Sequence, residues 1–157
     1  MERFKGSRAA EVKVATYLMC NGFHVHLPVR RWGEDRSKRE NFADYGDLFA
    51  GKLAADKRIE VKQNKKLEYE YGEWPFPLVL ICSKESFDNA VNVNKRPDYY
   101  YLVHQSLEFA SLVDVQTTFP DWKVTSVTDR ERKYTYDCYC VEKEYLAWRY
   151  LNDRPGM

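Results

Sequence analysis

Three charged side chains stand at a spacing that could support hydrolysis. In YGDLFAGKLAADKRIEVKQNKK (residues 45–66), Asp47 is followed by Glu60 and Lys62, with apolar residues set between them. If residues 58–63 form a strand, alternation puts Ile59 and Val61 on one face. Glu60 and Lys62 then share the other, ~7 Å apart at Cα. A preceding antiparallel strand would bring Asp47 beside Glu60 if the turn with Gly51 and Asp56 closes between them. Two carboxylates converging in a cleft suit a hard divalent ion such as Mg²⁺, which keeps several waters and a substrate phosphate. Such an ion would polarise a phosphodiester and lower the pKa of a bound water. Lys62 could hold or deprotonate that water, or neutralise charge building on the phosphate.

The elements around these residues follow from pattern and punctuation. A helix is expected from about Ser7 to Cys20, capped by Ser7 and stopped by Asn21-Gly22. Its apolar face runs through Val14, Ala15 and Leu18, and Glu11 sits on that same face. A carboxylate on an apolar stripe is a local anomaly; it could reach the site as a further ligand, or simply complement the helix dipole. Phe23–Leu27 alternates like a strand, and two more are expected near Tyr45–Ala50 and Arg58–Gln63. PLVLIC (77–82) reads as a strand buried on both faces. Ser83 can cap a short helix through about Asn92. Strands are expected at Tyr99–His104, Leu107–Val115, Trp122–Thr128 and Tyr134–Val141, and a final helix from about Glu142 to Leu151. The order predicts an α/β or α+β domain around one sheet.

Glu11 in GSRAAEVKVATYL, Asp47 in YGDLFA, and Glu60 with Lys62 in IEVK together resemble the PD-(D/E)xK superfamily of restriction-endonuclease-like nucleases. The likeness is closest to its Holliday-junction-resolvase-like branch, and covers roughly the first 65 residues at the level of motifs. It implies an αβββαβ core with a mixed central sheet flanked by helices, to which the remaining strands and last helix would be additions. It also implies hydrolysis of DNA phosphodiesters, dependent on Mg²⁺ or Mn²⁺, by an endonuclease. On this reading Asp47 and Glu60 hold the metal with the Val61 carbonyl, Lys62 assists the water, and Glu11 and Gln63 support them. A homodimer is compatible, since many such nucleases pair to cut two strands. The chain departs from the pattern at Gly46, which stands at the nominal proline, and Asp44 competes with Asp47 for the acidic role. PLVLIC is either an insertion after the third strand or a sign of a different strand count.

Composition bounds the alternatives. At 157 residues the chain is most simply one domain, 1–157. With 25 Lys+Arg against 24 Asp+Glu there is no global basic coat, so any nucleic-acid contact must be local. Arg30, Arg31, Lys38 and Arg39 on one side of the motif and Lys65 and Lys66 on the other are the candidate phosphate contacts; solvated loop charge is the plain alternative. Cys20, Cys82, Cys138 and Cys140 have neither a zinc spacing nor a dense disulfide framework. No apolar segment follows Met1–Lys5 and none is long enough to span a bilayer, so a cytoplasmic protein without membrane contact is expected. The competing reading is a catalytically inactive nuclease-like module that binds nucleic acid or protein.

Overall fold

The structure, a computed structural model, describes residues 8–28, 48–52 and 56–152. The first helix, α1 (Arg8–Cys20), ends as its residues dictate. Asn21 N–H donates to the carbonyls of Tyr17 and Leu18, and Gly22 takes a positive φ of 83° that lets the chain reverse. It leads into β1 (His24–His26), β2 (Leu48–Gly51) and β3 (Lys57–Gln63), an antiparallel run in which Val25 faces Ala50 and Leu48 faces Ile59.

After β3 the chain forms β4 (Leu78–Ser83) and α2 (Lys84–Asn92), whose N-cap is Ser83: its Oγ accepts from Ser86 N–H at 3.1 Å. Next comes β5 (Tyr99–Val103), parallel to β3, then β6 (Phe109–Asp114), antiparallel to β5. A short helix, α3 (Val115–Thr118), precedes the ribbon β7 (Lys123–Asp129) and β8 (Tyr134–Glu142), and β9 (Ala147–Tyr150) closes the described chain.

These strands form two sheets rather than one. The larger runs β1-β2-β3-β5-β6-β9; the smaller runs β4-β8-β7. The larger sheet is covered on one face by α1, with Ala10, Val14, Ala15 and Leu18 packed among Leu48, Ile59, Val61 and Val103. Its other face meets the smaller sheet: Tyr100, Leu102 and Val113 share a core with Val79, Ile81, Cys82, Val141 and Phe87 of α2. The fold is therefore mixed α+β, with a mixed sheet in the middle.

Two expectations are corrected. PLVLIC is a buried strand, but it pairs with β8 and belongs to the second sheet, so the expected single sheet does not hold. The helix expected over Glu142–Leu151 is instead a single 3₁₀ turn at Lys143–Tyr145 followed by β9, whose Trp148 faces Ser111 of β6. Glu, Lys, Leu and Ala favour a helix locally, but β6 would otherwise present an unpaired edge, and pairing there half-buries Trp148 and buries Leu151 completely.

All four cysteines are free; Cys82, Cys138 and Cys140 are buried and Cys20 is half-buried. Burial pushes the Cys82 thiol up to about 11, and raises that of Cys140 as well. A thiol reagent on the folded protein should therefore modify Cys20 quickly and the other three only on unfolding. More than one fast equivalent would show that the second sheet opens readily.

Candidate functional site

The alternation expected of β3 is present. From Lys57 to Gln63 the buried positions are Ile59, Val61 and Gln63, and the half-buried ones include Glu60 and Lys62. Ile59 and Val61 lie on the α1 side. Glu60 and Lys62 share the opposite face, the one that meets the smaller sheet.

Lys62 is held there by a local irregularity. The register of β4 against β8 shifts between Leu80↔Cys140 and Cys82↔Tyr139, so Ile81 bulges out of the ladder. The Ile81 carbonyl accepts a hydrogen bond from Lys62 Nζ at 2.9 Å. The same ammonium lies 5.3 Å from the centroid of the Tyr100 ring, in cation–π range. Tyr100 is opposite Glu60 in the parallel β3–β5 register, which places it on the same face. Its side chain hydrogen-bonds the Cys82 thiol, which also feels the charges of Lys62 and Glu60. The centre is thus Glu60, Lys62, Tyr100, Cys82 and the Ile81 carbonyl. Of these, Tyr100, Cys82 and Ile81 were not singled out from the sequence. The pleat of the YYYLV strand would mark Tyr100, but only long-range pairing shows which residues lie across from it.

Glu11 is fully buried, 0% exposed, and its Oε2 accepts from Arg8 Nη1 at 2.9 Å, while the Arg8 side chain is about half exposed. It belongs to the helix that covers the Ile59–Val61 face. Gln63 is also on that side: it is 5% exposed, and its amide lies 3.4 Å from the carbonyls of His104 and Gln105. Adjacency to Lys62 in sequence means opposition across the pleat. Val61 is fully buried in β3, and Lys65 and Lys66 are exposed just beyond it. The structure therefore brings Glu60 and Lys62 together and sets Gln63 apart from them. Asp47, and Arg30, Arg31, Lys38 and Arg39, lie outside the described residues; the β2–β3 pairing is described as far as Leu48↔Ile59. Among the described residues no three His, Cys, Asp or Glu side chains are grouped to hold a metal ion.

The strand end beside Gln63 holds a buried histidine. His104 Nδ1 is 2.8 Å from Ser106 Oγ, its ring stacks on Phe109 at 4.4 Å, and Nε2 lies 4.0 Å from the exposed carboxylate of Glu68. Burial lowers its pKa below the ordinary 6.5, opposed by Glu68 and Glu108. A depressed histidine pKa means that the unfolded chain binds the extra proton more readily. Its contribution to stability is therefore intact above about pH 6.5 and is lost as the pH falls toward the lower folded value. His104→Gln should accordingly lose less thermal stability than the parent between about pH 7 and pH 5. Equal losses in the two proteins would refute that assignment.

No helix among the described residues is long and apolar enough to cross a membrane. Comparison of the chain with protein-family models, with curated proteins and with solved structures returned no match.

Proposed function

We propose that the protein is a metal-dependent nuclease that hydrolyses DNA phosphodiesters, with Lys62 and Glu60 at the reacting centre. The observation that carries this reading is the fixed ammonium of Lys62, tied at 2.9 Å to the bulged Ile81 carbonyl beside Glu60 on the same face. A cation pre-positioned by backbone at a half-buried site stabilises developing negative charge without having to reorganise. The order α1-β1-β2-β3, then α2 and β5 parallel to β3, supports the same reading, with β4 set aside into the second sheet.

The donor chemistry suits Mg²⁺ or Mn²⁺, because hard ions of this kind bind oxygen and need only one or two protein carboxylates. Glu60 would supply one, aided by the Val61 carbonyl. The reading requires Asp47 to supply the other, one residue before the last described pair of β2 and β3. A bound ion would polarise the phosphodiester and acidify its water. Lys62 would orient that water or offset charge on the phosphate. Glu11, across the sheet from this centre, would support it only by fixing α1 through its pairing with Arg8, and Lys65 and Lys66, with Arg30, Arg31, Lys38 and Arg39, would contact the DNA backbone. A homodimer would let two such centres address two strands.

The test is incubation with single-stranded, duplex and branched DNA in Mg²⁺, Mn²⁺ or EDTA. Cutting that needs the metal is expected, and cutting that survives EDTA would overturn the mechanism. A second reading has its own support: Lys62 already ties the two sheets together through Ile81, a structural task that a non-cutting module would also need. Salt-sensitive binding with no cleavage in any metal would favour that module.

A further inference from the structure

On the α1 side of the larger sheet, away from Lys62, a cavity of about 590 Å³ opens at the start of β3 and β5. That volume is within the usual range for small-molecule sites, roughly 300–1,000 Å³. Its floor is apolar, with Ile59 and Leu112 from adjoining parts of the sheet. Three tyrosines, Tyr17, Tyr99 and Tyr101, line it; Tyr101 is nearly buried and the other two are half-buried. Lys52, Lys57 and Arg149 add three exposed cations, and no acidic side chain is among the described residues that line it.

The charge is directed inward as well as outward. Arg149 donates one N–H to the Trp148 carbonyl at 2.7 Å, which anchors the guanidinium and leaves its other donors for a ligand. Its charge reaches the Tyr101 phenol, whose pKa burial raises and Arg149 pulls back. Lys52 Nζ sits 4.6 Å over the Phe23 ring, another wall of the cavity. The end of α1 could have opposed an anion with its free carbonyls. The carbonyls of Tyr17, Leu18 and Met19 are instead occupied by the N–H groups of residues 21–23.

We infer that this cavity binds a nucleotide, with the base against the tyrosine rings and the phosphate at Arg149, the cation whose charge reaches Tyr101. An aromatic-lined, apolar pocket recognises a planar π-system of any base identity, and the cationic rim supplies the charge complement that a neutral aromatic would not use. The nucleotide could arrive free or as one unit of a single strand. Because the cavity and the Glu60–Lys62 centre lie on opposite faces of the sheet, this inference does not depend on the nuclease reading.

Calorimetric titration of the full chain in EDTA, so that no cleavage intervenes, tests it with AMP, adenosine, ribose 5-phosphate and a short oligothymidylate. AMP is expected to bind more tightly than either half alone. Arg149→Gln should weaken AMP by about fivefold and leave adenosine unchanged, the scale of one exposed charge contact, whereas Lys57→Gln, at the far end of the cavity, should change AMP by less than about twofold. Displacement of AMP by the oligothymidylate would identify a strand as the source, and failure to displace it a free nucleotide. Absence of AMP binding would overturn the inference. So would ribose 5-phosphate binding as well as AMP, which would reduce the site to surface charge.

Discussion

Lys62→Ala is expected to lower the rate of metal-dependent DNA cleavage by about 100- to 10,000-fold, the range for losing a positioned proton-transfer or charge-stabilising group. The same change deprives the Ile81 carbonyl of its donor and removes an ammonium from the Tyr100 ring, so a stability loss of about 1–3 kcal/mol should accompany it. The two effects separate experimentally. Cleavage is measured well below the unfolding midpoint of the variant, and the urea midpoint is measured independently. Lys62→Arg sharpens the comparison. It keeps a charge and a donor for Ile81, but a planar guanidinium does not deprotonate and does not occupy the place of a compact ammonium. If Lys62 acts on the water, Arg at this position restores stability more than rate. A Lys62→Ala protein that stays folded and cuts within about threefold of the parent would sink the mechanism, since no transition-state interaction would then have been removed.

What the sequence made legible was whatever depends on near neighbours. The shared face of Glu60 and Lys62 follows from the pleat alone, and burial of Ile59, Val61 and Gln63 matches it. Ser83 announced α2 because an N-cap acts within three residues. The pairing of β5 with β6 was readable because a short turn joins them. Partners chosen at long range were not legible. PLVLIC reads as a buried strand, yet nothing within it says that its partner is β8, some sixty residues on. The bulge at Ile81, and so the anchor of Lys62, exists only once that pairing has formed. Residues 147–150 went the same way, since their helix-forming neighbours are overruled by the edge of β6. Gln63 is a different case: the resemblance gives it a supporting role, whereas the alternation puts it across the strand from Lys62.

Phe87→Ala should be the most damaging single core truncation in the described chain, costing about 3–5 kcal/mol. Phe87 is the one large side chain by which α2 plugs into the space between the sheets, and it is 2% exposed. Its ring lies 5.2 Å from that of Phe119, 5.1 Å from Trp122 and 5.3 Å from Tyr139, with the Phe119 pair stacked and the Tyr139 pair edge-on. Phe119 and Trp122 flank one turn between α3 and β7, and Tyr139 is on β8, so the ring ties α2 to segments far beyond it in sequence. Alanine there removes the transfer free energy of the ring and leaves a cavity whose walls are themselves rigid aromatics, poorly able to collapse inward. Phe87→Leu keeps most of the volume and should cost less, losing chiefly the ring-pair geometry at about 0.5–1.5 kcal/mol per pair. Against a total stability of about 5–15 kcal/mol for a domain, the alanine variant should lose a large part of its urea midpoint. Because Ile81 and Cys82 share this core, the same variant should also loosen the strand that holds Lys62. The order parent, leucine, alanine should therefore appear in cleavage rate measured near the midpoint as well as in stability. A Phe87→Ala protein that loses less than about 1 kcal/mol would show that α2 does not hold the two sheets together, because so small a cost is typical of a surface site.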